Sequence, residues 1–248
     1  MKERIYTIPV NDAFNEECEC TICKLEEKTT NDLLNYFLGA SLMEPDVRMV
    51  TNEKGFCQKH LTAMYNRQEN RLGLGLMLHT HFADLCTDLN KKLTKAVPQQ
   101  NSGLFSGIKG DYKDALIKTA ELIMKRVDSC ALCDRLEYTM DRYTDVILWQ
   151  YFEDKTFRDR FAQTKGFCLP HLALLLKGAA KYLSQKDAST FVKDLSILQN
   201  QSMDTLRDEL EWFTQKFDYK NEDKPWGNSR DAIPRAIRKI VSNTDLNQ

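Results

Sequence analysis

No stretch of this chain approaches the roughly 20 consecutive apolar residues that cross a bilayer as a helix. Residues 1–10 carry Lys2 and Arg4 without an apolar run of signal-peptide length, so the sequence reads as cytoplasmic, with no membrane partner. Charge of one sign is missing too. Lysine plus arginine number 35 against 36 acidic residues, and a net charge of -1 supplies no global field for nucleic acid or anionic lipid. Any partner, expected to be a protein, must be recognised locally. Runs of alternating apolar and polar residues long enough for a sheet are lacking as well, which leaves an all-α fold.

Cysteine is what the sequence does have. Eight thiols at patterned spacing in a reducing compartment argue for metal or redox chemistry ahead of disulfides. At 248 residues the chain can bury a real core, so metal is not needed merely to rescue a small fold.

The segments Cys20–His60 and Cys130–His171 share more than their ends. Each runs Cys-x-x-Cys, a helix-like stretch carrying Leu25-Glu26 or Leu136-Glu137, then Lys-Gly-Phe-Cys-x-x-His-Leu. The gap from Cys23 to Cys57 is 33 residues and that from Cys133 to Cys168 is 34, the signature of a duplication. Long amphipathic stretches follow, from Leu61 to about Lys95 and from Leu172 to about Phe217. In the second, Leu195, Leu198, Met203, Leu206, Leu210 and Phe213 keep mostly three- and four-residue steps. Pro98, Gly103, Gly107 and Gly110 mark a linker. The expected organisation is a first helical repeat over 1–97, a linker over 98–110, a second repeat over 111–218, and an extension over 219–248. That extension ends in a short helix capped by Asp231, with Pro234 in its first turn.

A Cys-x-x-Cys turn brings two thiolates near one cation, and cysteine and histidine three apart on a helix lie about 60° apart around it. Cys20, Cys23, Cys57 and His60, with Cys130, Cys133, Cys168 and His171, therefore supply two sets of three sulfurs and one imidazole. Such closed sets suit structural zinc, two ions per chain; an iron-sulfur cluster or dithiol redox chemistry is the alternative. Gly55 and Gly166 permit positive φ, and Phe56 and Phe167 stand at staple spacing from Leu61 and Leu172. Cys57 and Cys168 then fall at helix starts, where the positive dipole end favours thiolate. Lys54 and Lys165 stand at matching positions to offset the net negative charge of a three-thiolate zinc site. Spacing leaves open whether the pairs join within or across the repeats; the reading adopted is one site per half, with Cys130 and Cys133 joined to Cys168 and His171.

Other features weigh less. Cys18 and Cys86 lie outside the quartets, Cys86 reading as a packed core thiol. His79 and His81 diverge by about 200° on a helix and share no ligand by themselves. Gly73-Leu74-Gly75 follows no strand and reads as close helix packing. Glu44, Asp46, Arg48 and Asn52 occupy an apparent loop without a counterpart in the second repeat. With His81 they form the candidate small-molecule site, should the protein be a binder or enzyme. No catalytic residue is assigned.

Met43-Glu44-Pro45-Asp46-Val47-Arg48, Thr51 to Cys57, Asn70-Arg71-Leu72-Gly73-Leu74, Lys165 to His171, and Phe217-Asp218-Tyr219 through Trp226-Gly227-Asn228-Ser229 span nearly the full length. On these segments the chain resembles an uncharacterised family of bacterial proteins, mostly from anaerobic Gram-positives, sometimes labelled by automatic transfer as substrate-binding components of ABC transporters. The resemblance implies a bacterial source and little chemistry. The transporter label fits badly with a helical chain that lacks an export signal.

Overall fold

The computed structural model describes residues 5–96 and 112–244, so the expected linker over 98–110 lies outside the described residues. Among the described residues the regular structure is helical, with no strand. The α-helices are α1 (Thr7–Phe14), α2 (Thr21–Leu38), α3 (Pro45–Lys54), α4 (Gln58–Arg67), α5 (Arg71–Ala96), α6 (Tyr112–Val127), α7 (Ala131–Glu153), α8 (Lys155–Ala162), α9 (Leu169–Tyr182), α10 (Gln185–Gln215) and α11 (Ala232–Val241).

Local chemistry sets their ends. Pro45 opens α3 at a position where its missing N–H costs nothing. The Asp154 carboxylate accepts from the Thr156 and Phe157 amides to start α8, and Ser184 caps α10 through the Asp187 amide. The two long amphipathic stretches are each broken. Gln68 adopts a left-handed conformation after α4, and the Asn70 side chain accepts from Gly73 N–H at 2.8 Å to restart the chain as α5. Gly73 is therefore tight against its own cap, and Gly75 has open space around it, so close helix packing is not what these glycines provide. Asp231 precedes α11 as expected, but its carboxylate pairs with Arg235 at 3.0 Å instead of capping the backbone.

The apparent loop carrying Glu44 to Asn52 is helix α3, and it does have a counterpart. α8 stands in the same place before the second Lys-Gly-Phe-Cys. Their sequences share so little that only the structure pairs them.

The chain divides into two compact units, one of residues 1–29 with 137–248 and the other of residues 30–136. The division falls inside α2 and α7, and neither unit coincides with one sequence repeat. In the first unit Phe157, Phe161, Phe167 and Phe191 are fully buried, joined by Phe14 and Tyr151 in an aromatic core with ring centroids 4.8–5.9 Å apart. Phe191, Leu195 and Leu206 form the buried stripe of α10, while Met203 remains exposed. In the second unit Phe37, Val47, Met64, Leu74 and Met77 are buried.

Candidate metal centres

Each ligand pair sits where local structure predicts. Gly55 and Gly166 have φ of 62° and 70°, and the following residues extend into Cys57 and Cys168, the N-cap positions of α4 and α9. His60 and His171 then lie in the first turn, one step round from their cysteines. The glycine turns are also packed: a Cβ on Gly55 would fall 2.6 Å from the His81 ring, and one on Gly166 would fall 3.0 Å from Gln199 Oε1. Gln199, buried on α10, accepts from Phe167 N–H and donates to Phe167 C=O, both at 2.9 Å. At the other turn Ala131 N–H donates to Gly55 C=O at 2.9 Å and Ser129 Oγ donates to Lys54 C=O at 2.6 Å. The phenylalanines anchor the turns on the cores, Phe167 against Phe161 and Phe56 against Phe37.

The eight residues gather into two groups, and the pairing crosses the repeats. Cys20 and Cys23 meet Cys168 and His171; Cys57 and His60 meet Cys130 and Cys133. The expectation of one site per half, with Cys130 and Cys133 joined to Cys168 and His171, is corrected here. Helix lengths give the reason. α2 has 18 residues and rises about 27 Å along its axis, whereas the 10 residues of α3 span only about 15 Å. α7 and α8 repeat the mismatch with 23 and 8 residues. A return helix shorter than the outgoing one does not bring the chain back to the outgoing helix's start, and each Cys-x-x-His gathers with the Cys-x-x-Cys of the other repeat. Closing the longer loop, Cys23 to Cys168 at a separation of 145 residues, costs only about 1 kcal/mol more than the within-repeat loop would.

Within each group the four ligand atoms all lie within 4.8 Å of one another. In the first, Sγ···Sγ distances are 3.8 Å for Cys20–Cys168 and 3.6 Å for Cys23–Cys168, and His171 Nδ1 lies 3.5, 3.3 and 3.1 Å from Cys20, Cys23 and Cys168. In the second, Cys57 and Cys133 are 3.8 Å apart, and His60 Nδ1 lies 3.3, 3.3 and 3.4 Å from Cys57, Cys130 and Cys133. A tetrahedron built with zinc–sulfur bonds near 2.3 Å and zinc–nitrogen bonds near 2.05 Å has edges of about 3.8 Å and about 3.6 Å. All four ligands of the first group are buried; in the second, Cys57 and Cys133 are half-buried.

His171 Nε2 lies 3.4 Å from Glu26 Oε2, an outer carboxylate that orients the ring to present Nδ1. Burial lowers the basicity of His171, but hydrogen bonds with Cys168, Cys23 and Glu26 push it up to about 11. Hydrogen bonds from Cys20 and Cys23 hold the Cys168 thiol far below the usual range against its burial. Ligation needs thiolates and a neutral imidazole, so metal binding releases protons.

Lysine charge compensation falls elsewhere than expected. Lys54 pairs with Asp134, and Lys165 pairs with Glu17 at 3.2 Å. The residue missed by sequence reasoning is Lys239 of α11, 1 % exposed, whose ammonium donates to Glu19 C=O at 3.0 Å and Lys165 C=O at 2.6 Å. It ties together the two backbone segments that lead into Cys20 and into Gly166-Phe167-Cys168, and Glu19 Oε2 at 3.4 Å balances it. Ser242, just past α11, brings its hydroxyl within 3.3 Å of Cys23 Sγ. A basic residue in a short terminal helix gives no sequence signal of this role. Lys239→Met is expected to lower the stability of metal-loaded protein by about 2 kcal/mol in denaturant titration, because three charged or carbonyl partners lose their buried cation.

Cys18 and Cys86 belong to neither group. Cys18 is half-buried, its thiol pushed up by that burial, and Cys86 is exposed, not a core thiol. Cys18→Ser and Cys86→Ser should leave metal content unchanged by elemental analysis, and loss of an ion from either would reassign the ligands.

The candidate small-molecule residues divide. Glu44 and Asp46 are exposed at the start of α3. Arg48 Nη2 donates to Thr80 Oγ1 at 2.7 Å, Thr80 donates to Asn52 Oδ1 at 2.6 Å, and His81 Nδ1 bonds Asn52 C=O at 2.8 Å. Arg48, Asn52 and His81 thus fasten α3 to α5. His79 is exposed.

A family model matches residues 1–247. The chain belongs to a family of unknown function, DUF6062. No curated protein and no solved structure matches it. Membership in DUF6062 thus brings no ligand or activity with it, and what the chain can do rests on the two Cys/His groups. No described helix is long and apolar enough to cross a membrane.

Proposed function

We propose that this protein is a zinc-binding helical scaffold in which two closed sites of three cysteines and one histidine fasten helix starts together, leaving the helical surface to meet a protein partner. The observation that carries the reading is the pair of four-ligand sets, with all ligand atoms within 4.8 Å of one another and the sulfur–sulfur and sulfur–nitrogen contacts above at 3.1–3.8 Å, which fit one tetrahedral ion. Edges this short surround a single ion and favour it over a cluster of several iron atoms. Burial of all four ligands in the first set leaves no open position for water or substrate, which favours a structural over a catalytic ion. The eight unpaired thiols accord with a reducing, cytoplasmic setting. The interaction role draws support from α5 and α6, where Leu72, Phe82, Ile117, Met124 and Val127 are all more than half exposed.

Elemental analysis of protein purified without oxygen tests the reading. About two zinc per chain and no visible absorption are expected. Iron with sulfide would replace this reading with the redox one, and protein folded without any bound metal would end it.

A further inference from the structure

We propose that the second unit contains a binding site for a small amphipathic monocarboxylate, a molecule with one carboxylate and an apolar chain, in a cleft beside the Cys57–Cys133 group. The cleft has a volume of ≈ 470 Å³, within the range of about 300–1,000 Å³ typical of small-ligand sites. Its walls are Phe56 from the glycine turn, Leu61 of α4, Leu85 and Leu89 of α5, and Ile123 and Val127 of α6. None of these six is buried. An apolar chain lying among them would remove their surfaces from water.

Charge selects the other end of the ligand. Three cations, Lys54, Lys92 and Arg126, and one carboxylate, Asp88, line the cleft. Lys92 is paired with Asp88, and Lys54 with Asp134. Among the described residues Arg126 is paired with no carboxylate. Its Nη2 donates to Asn52 C=O at 3.0 Å, the carbonyl that also holds His81 Nδ1, so the guanidinium is fixed in place. Its Nε is buried and has no acceptor. A fixed guanidinium with a buried donor lacking an acceptor, at the edge of an apolar cleft, matches one carboxylate. The surplus is a single positive charge, which argues for a monoanion over a phosphate or a dicarboxylate.

The site is tested by calorimetric titration of full-length, metal-loaded protein with dodecanoate below its micelle concentration, with dodecanol as the uncharged control. Saturable binding of one dodecanoate per chain is expected, about tenfold or more tighter than dodecanol. Arg126→Met should weaken dodecanoate about tenfold or more and leave dodecanol unchanged. Because Arg126 also touches the α3 backbone, Val127→Glu is the second variant: an exposed wall residue gains a negative charge, and dodecanoate binding should fall while helicity is retained. Metal content of the same samples keeps this test separate from that of the zinc reading. Absence of saturable binding, equal affinity for dodecanol, or unchanged affinity in both variants would overturn the proposal.

Discussion

Replacing Cys168 by serine is expected to release one of two ions and to raise hydrogen exchange in three stretches distant in sequence, residues 17–25, 163–175 and 235–243. The stretches follow from what the first group holds. Cys168 and His171 fasten the start of α9 to Cys20 and Cys23 at the start of α2, and α11 is seated on the same segments through Lys239 and Ser242. Losing one sulfur frees a loop of more than a hundred residues together with a bond. Zinc-site formation in small peptides is worth on the order of 10 kcal/mol. The aromatic core around Phe161 does not depend on the ion, so partial loosening is expected rather than complete unfolding. Residues 125–140 should keep wild-type protection, because Cys130 and Cys133 belong to the other group. Exchange measured by mass spectrometry on variant and wild type checks this. Unchanged protection with the ion still bound would make Cys168 an ordinary packed thiol.

Two double variants are expected to differ by a whole metal ion. Cys20→Ser with Cys168→Ser removes two ligands from one group and should leave one ion per chain. Cys20→Ser with Cys57→Ser removes one ligand from each group and should leave none firmly bound. Pairing within the repeats would reverse this result, because Cys20 and Cys57 would then share an ion. Native mass spectrometry counts the ions directly, and helicity measured alongside keeps misfolded protein out of the count. The crossed pairing predicts the larger loss of stability for the Cys20/Cys57 variant, in which both staples are broken.

Much of this was legible in the chain before its structure. The helical class follows from three- and four-residue apolar steps, and the ligands follow from repetition of a four-ligand pattern that one accidental Cys-x-x-Cys would not supply. The glycine turns and the cysteine N-caps were legible because only glycine takes positive φ without strain, and a ligand pair three apart needs a helix start. The crossing was not legible, since spacing along a chain says nothing about where a helix delivers its far end. Recognising α3 would have exposed it: Pro45 reads as loop chemistry and as a helix start alike, and the loop reading hid a segment too short to bring the chain back along α2. Arg48 and Asn52 looked free for a ligand for the same reason, whereas the helix turns them onto α5. Lys239 and the cleft near Arg126 depend on elements far apart in sequence, and no local pattern marks either.

X-ray absorption at the metal edge of protein purified without oxygen tests the central claim most directly. The account predicts an average shell of about three sulfurs near 2.3 Å and one nitrogen near 2.05 Å, with about two ions per chain and no metal–metal scattering. A short metal–metal distance, or a shell of nitrogen and oxygen without sulfur, would contradict it.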